Sequence, residues 1–239
     1  MNSNDKSSYF VVRIGALIHN IKEVLYMSPK QEFYKIQAEE IIKKLKVRGM
    51  NGIYCQTKED AKKCVLDMIE DGASVAWGGS ESIKETGILD AVMADKERLD
   101  VIDRSTYVTD EQKRELKGKI AMCDYFLMST NAITLDGELV NIDGAGSRLS
   151  YLIYGPEKVI IVAGMNKVST DVEDAVKRVR NIASPPNAIR LSCDTPCAKY
   201  GKCMNCISDD CICCQVVVTR RSRITCRINV ILVGEELGY

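Results

Sequence analysis

Three mostly apolar runs of strand length recur along the chain, each followed at once by glycine or by polar residues. Ala73–Trp77 runs into Gly78-Gly79-Ser80, Tyr125–Met128 into Ser129-Thr130-Asn131, and Lys158–Ala163 into Gly164-Met165-Asn166-Lys167. These mostly apolar runs, interrupted by Ser74 in the first and opened by Lys158 in the third, predict strands, the second and third of them buried as in a parallel sheet. Between them the period changes to that of a helix. Ala38, Ile41, Ile42 and Leu45 mark one helix over residues 31–46. Ala61, Cys64, Val65, Met68 and Ile69 mark another after the capping pair Thr57 and Asp60, and Val172, Ala175, Val176 and Val179 a third after Thr170 and Glu173. Thr109 and Gln112 cap a charged helix to about Ile120, and Pro185-Pro186 is expected to end the helix that Thr170 begins. Gly52–Cys55, Leu99–Ile102, Gln215–Thr219 and Cys226–Val233 are shorter strand candidates, the last two expected as a hairpin through an arginine-rich turn. Strands alternating with helices predict an α/β fold with a central, mostly parallel sheet flanked by helices.

The longest polar stretch between two core elements is Ser129–Arg148, holding Asn131, Thr134, Asp136, Glu138, Asn141 and Asp143. Asp136-Gly137 is a hairpin turn signal, so the stretch reads both as a hairpin and as a place to hold a ligand. Polar residues after the other strands belong to the same candidate site, because open parallel sheets bind ligands at the carboxyl ends of their strands. Gly78, Gly79 and Ser80 offer backbone N–H groups ahead of a short helix. Ser82 and Glu85 have capping-box spacing, which would account for Glu85 without chemistry.

Composition narrows the classes. Lysine plus arginine equals aspartate plus glutamate, so no global field recruits nucleic acid or an anionic membrane. Arg220, Arg221, Arg223 and Arg227 read as a solvated strand face. The one histidine is His19, which disfavours a histidine base in the core. No apolar run approaches the length of a membrane span, and Phe10–Ile18, interrupted by Arg13, makes a poor signal peptide; a cytoplasmic protein is expected. Residues 1–26 read as an extension, with Met27 an alternative start.

In that compartment the 11 cysteines should be reduced or metal-bound. Eight lie between residues 193 and 226, and Cys197, Cys203, Cys206 and Cys213 offer four thiolates in a short loop-rich span. Four thiolates hold either zinc or an iron–sulfur cluster. With Cys203-x-x-Cys206 the one such knuckle within these four and no nearby histidine, a 4Fe–4S cluster is favoured, with zinc the alternative. Cys193, Cys211, Cys214 and Cys226 exceed any four-ligand need. Residues 191–239 are expected to form a small cysteine-rich metal lobe with the hairpin, appended to an α/β domain over 27–190.

Trp77–Gly87, Ser129–Arg148 and Gly155–Lys167, with Thr195–Cys206 and the ending Val233–Tyr239, resemble the lactate-utilisation (LUD) domain, in particular its short stand-alone members. The chain departs from that pattern at Ser147, where asparagine is expected, and at Cys211 and Cys214. The resemblance implies a fold like the sugar-isomerase and CoA-transferase superfamily. It also implies a part in oxidising L-lactate to pyruvate, alongside iron–sulfur electron-transfer partner proteins. On this reading Gly78, Gly79, Ser80, Asn131, Arg148 and Lys167 bind a small carboxylate, Arg148 bidentately. Glu85 or Asp143 is the general base, and Cys197, Cys203, Cys206 and Cys213 hold the cluster. The alternative is a non-catalytic metabolite-binding or assembly subunit with a structural zinc lobe. Neither reading fixes whether the chain forms a homo-oligomer.

Overall fold

The computed structural model describes residues 27–239. The expectations for residues 1–26, including Phe10–Ile18 and His19, lie outside the described residues. Two compact units are distinguished, Met1–Phe33 and Tyr34–Tyr239; of the first, residues 27–33 are described and open helix α1. The elements are α1 (Pro29–Val47), β1 (Asn51–Cys55), α2 (Lys58–Met68), β2 (Ser74–Trp77), α3 (Glu81–Glu85), α4 (Ile88–Ala94), β3 (Asp100–Val101) and α5 (Asp110–Ala121). Then follow β4 (Tyr125–Met128), β5 (Ala132–Thr134), β6 (Leu139–Asp143), α6 (Ser147–Ile153), β7 (Lys158–Gly164), β8 (Val168–Ser169), α7 (Val172–Arg178), α8 (Ser184–Arg190), α9 (Pro196–Tyr200), β9 (Gln215–Thr219) and β10 (Ile228–Val233). Among the described residues no helix is long and apolar enough to cross a membrane.

Six strands form a parallel central sheet in the order β1-β10-β7-β4-β2-β3. Alternation along its strands splits the core in two, since successive side chains leave a strand on opposite faces. Val159 and Ile161 of β7 join Val230 and Leu232 of β10 and Phe126 of β4 under α1, α5 and α6. Ile160 and Val162 join Ile231, Val233, Tyr125 and Leu127 under α2, α3 and α4. Each fully buried aliphatic side chain contributes about 1.5–3 kcal/mol relative to exposure, so β7 and β10 anchor both layers.

A second sheet, β8-β5-β6-β9, packs Ala132, Val140 and Ile142 against Ala175 and Val179 of the α7 region. Its β5–β6 pair is the hairpin that Asp136-Gly137 signals, with Gly137 at φ +83°. The expected β9–β10 hairpin does not form. β9 pairs antiparallel with β6 in the small sheet, whereas β10 lies inside the central sheet between β1 and β7. The reason is burial: all six residues of β10 are buried, which a two-stranded ribbon cannot provide.

Three local expectations are corrected. Asp171, rather than Thr170, caps α7, accepting from the Asp174 N–H at 2.8 Å. Pro185 and Pro186 do not stop the chain's helical course. A π-turn, Val179–Ala183, follows α7, and the prolines sit in the first turn of α8, where their missing N–H groups would have no intrahelical partner. Arg227 is not solvated: it is buried and donates to the carbonyls of Tyr151, Leu152 and Pro156, a cation closing the end of α6.

Candidate functional site

The carboxyl ends of four neighbouring strands of the central sheet open on one cavity of about 470 Å³. β2 delivers Gly79, Ser80 and Ser82; β4 delivers Ser129, Thr130 and Asn131; β7 delivers Lys167 through a 3₁₀ turn at Met165–Lys167; and the segment after β10 delivers Gly238 and Tyr239. Asp143, at the end of β6, and Arg148, on α6, close another wall.

Arg148 is held by its neighbours. Its Nη2 donates to Asn131 Oδ1 at 2.9 Å and to the Ile142 carbonyl at 3.1 Å, and its Nε lies 3.7 Å from Asp143 Oδ2. Burial works against its charge and Asp143 supports it. Both forks of a guanidinium use Nη2, so the expected bidentate grip is not available in this arrangement, and Nη1 is the group left for a ligand. Gly78 matters through space: a Cβ there would stand 3.2 Å from Arg148 Cγ. Its own N–H is spent on the Leu127 carbonyl at 3.0 Å, so it is no ligand donor.

Lys167 is 4% exposed, and its Nζ donates to Ser82 Oγ at 2.8 Å and Ser129 Oγ at 3.2 Å. Burial, then the nearby Arg178 and Arg148 charges, lower its pKa to about 7, against a smaller opposing pull from Glu85. Glu85 itself does not line the cavity; its Oε2 accepts from the Gly238 N–H at 2.7 Å and so tethers the segment after β10. The helix cap beside it is Ser80, accepting from Ile83 N–H, which frees Ser82 to face Lys167 instead of capping. Asp143 does line the cavity, and its Oδ2 is buried without a hydrogen-bond partner among the described residues. Asn131 is a positioning group: its Oδ1 accepts from both the Ile142 N–H and Arg148.

Sequence reasoning missed Ser82 and Ser129 as contacts of Lys167, and also Arg104, Arg178 and Arg190. Ser129 carried a signal, since it directly follows a buried strand. Arg178, on α7, donates to the carbonyls of Asn131 at 2.8 Å and Asn166 at 3.1 Å, and no local pattern in its helix announces this.

Cys197, Cys203, Cys206 and Cys213 all line a second, small cavity of about 40 Å³, together with Cys211. The donors are thiols throughout, which suits a thiophilic group. Among the described residues no three Cys, His, Asp or Glu side chains draw together around one point. A zinc ion and an iron–sulfur cluster held by four cysteines would both need such convergence. Ser184 and Ile212 line both cavities, which therefore share a wall.

A family model for the LUD domain matches residues 38–233. The chain belongs to the LUD domain family. The match takes in both sheets and every residue assigned above to the main cavity except those after β10. No curated protein matches this LUD domain. Among solved structures it is similar to a DUF162 family protein from Deinococcus radiodurans, at 12% identity and TM-score 0.45, over 87% of this chain and 99% of that one. It is similar also to a ribose 5-phosphate isomerase from Plasmodium falciparum, at 20% identity and TM-score 0.32, over 47% and 52% of the two chains.

Proposed function

We propose that this LUD domain binds a small 2-hydroxy or 2-oxo carboxylate in the main cavity and takes part in the oxidation of L-lactate to pyruvate. The observation that carries this reading is the wall that the main cavity shares with the thiol-lined cavity. Arg148 Nη1 meets the substrate carboxylate, and Asp143 Oδ2, which accepts no hydrogen bond and lies 3.7 Å from Arg148 Nε, accepts the hydroxyl proton. Asn131 holds Arg148 in place through its Oδ1. Cys197, Cys203, Cys206 and Cys213 would hold an iron–sulfur cluster, which supplies one-electron chemistry when bound. Lactate oxidation releases two electrons and two protons, so partner proteins must carry the electrons onward. Ser184 and Ile212 separate the two chambers and keep the substrate from touching the thiols.

Calorimetry with L-lactate tests the binding half. Loss of a charge-assisted hydrogen bond costs about 1.5–3 kcal/mol, so Arg148→Ala should weaken binding by roughly one to two orders of magnitude. Arg148→Lys should retain part of it, because the charge remains. Equal affinity in the wild type and Arg148→Ala would overturn the assignment.

A further inference from the structure

We propose that Lys167 is a carbonyl-reactive residue, condensing through Nζ with the keto group of a 2-oxo acid held in the main cavity. The inference rests on the reading that this cavity takes a small carboxylate, and it assigns the atom that meets the substrate's second carbon.

The hydrogen bonds decide which atom is the nucleophile. Ser82 Oγ donates to the Leu237 carbonyl at 3.2 Å, and Ser129 Oγ has two acceptors, the Thr130 carbonyl at 3.2 Å and Ser82 Oγ at 3.4 Å. Both hydroxyl hydrogens are therefore spent, and each oxygen acts as an acceptor toward Nζ. Neither serine is poised to attack, because its proton points at a carbonyl and not at a base. An amine that gives its two hydrogens to Ser82 and Ser129 keeps one lone pair. With two hydrogens on the serines, the lone pair of the neutral amine, the reactive form, is left toward the cavity that Lys167 lines. The neighbouring guanidinium groups of Arg148 and Arg178 act in the same sense. A buried lysine beside other cations is a recurring way to make an amine nucleophilic near neutral pH. With its pKa at about 7, Lys167 holds on the order of a thousandfold more neutral amine at pH 7 than an exposed lysine does.

The step balances without a co-reactant. The Nζ lone pair forms a bond to the keto carbon, and the carbonyl π pair moves to oxygen. Transfer of one proton from nitrogen to that oxygen gives a carbinolamine. Loss of one water then leaves the C=N bond, and hydrolysis reverses the sequence. The Ser82 and Ser129 hydroxyls accept hydrogen bonds from the amine before attack and stand beside the carbinolamine afterwards.

The test is reductive trapping on the full chain. Pyruvate is added with sodium borohydride, which delivers hydride to the imine carbon and fixes it as a secondary amine. Peptide mass spectrometry then maps the adduct. One reduced pyruvyl group on Lys167 is expected, absent from Lys167→Arg and diminished by excess L-lactate, which shares the carboxylate but has no keto group. Calorimetry with pyruvate under the same conditions separates the two readings. Binding without an adduct at Lys167, or adducts spread evenly over exposed lysines, overturns the imine and leaves the carboxylate site standing. Neither binding nor adduct overturns both.

Discussion

Lys167 is costly to the fold, and that cost has a sign. Its pKa in the folded chain is about 7 against an ordinary 10.5, so between those values the unfolded chain binds the extra proton. Unfolding free energy must then rise with pH across that window, because ∂ΔG/∂pH follows the difference in bound protons. The penalty is full below about pH 7 and gone above about 10.5. Lys167→Met removes the titration, so its stability should climb less steeply than the wild type's from pH 7.5 to 9.5, by up to about 1.4 kcal/mol per pH unit. The variant also strips Ser82 and Ser129 of a donor, a loss that is the same at every pH and cancels from the slope. Urea denaturation at three pH values reads this out. Parallel slopes would show that the amine is protonated in the folded chain, and that the two-hydroxyl argument for its neutral form fails.

At the scale of elements the segment after β10 acts as a strap across the sheet's carboxyl end. Met165 N–H bonds to the Glu235 carbonyl at 3.1 Å, Leu237 N–H to Asn166 Oδ1 at 3.1 Å, and Gly238 N–H to Glu85. Gly164, the last residue of β7, makes the close approach possible. A Cβ there would fall 2.6 Å from both the Glu235 carbonyl oxygen and the Leu237 nitrogen. Backbone cannot yield as a flexible side chain does, so Gly164→Ala should lift the strap. We expect a loss of about 1–3 kcal/mol in stability, as for other overpacked sites, and weaker pyruvate binding. Unchanged urea midpoints would show that the strap is loosely seated. The sequence announced β7 and the polar residues after it through local patterns, and Thr57–Asp60 and Thr109–Gln112 form the capping boxes their spacing implied. It did not announce the strap, because Gly234–Tyr239 has neither periodicity nor a cap and acquires its place from contacts with Glu85 and Asn166 far away in the chain. The misread hairpin has the same origin. β9 and β10 are neighbours in sequence, but Ile228–Val233 is an apolar run interrupted only by Asn229, the mark of a central parallel strand, and that mark was present to be read.

Across the whole molecule the order β1-β10-β7-β4-β2-β3 brings together residues that no local pattern links. Placing β10 beside β7 sets Gly238 near Lys167, and pairing β9 with β6 carries the preceding cysteine span to the rim of the main cavity. The cysteine spacing alone picked out Cys197, Cys203, Cys206 and Cys213, and these four line one small cavity together with Cys211. Spacing alone did not show that Ser184 and Ile212 would stand between that cavity and the anion site, since α8 and the cysteine span meet only in the folded chain. If the thiols serve electron transfer, the chain purified without oxygen should carry iron and acid-labile sulfide in equal amounts, about four of each for a cubane held by four cysteines. Cys203→Ser should lower both together, whereas Cys214→Ser should change neither, because Cys214 is exposed and does not line the cavity. Stoichiometric zinc without sulfide would make the thiol ring structural. The oxidation would then need a redox group from another protein, and the carboxylate site with its reactive lysine would be the chemistry left to this chain.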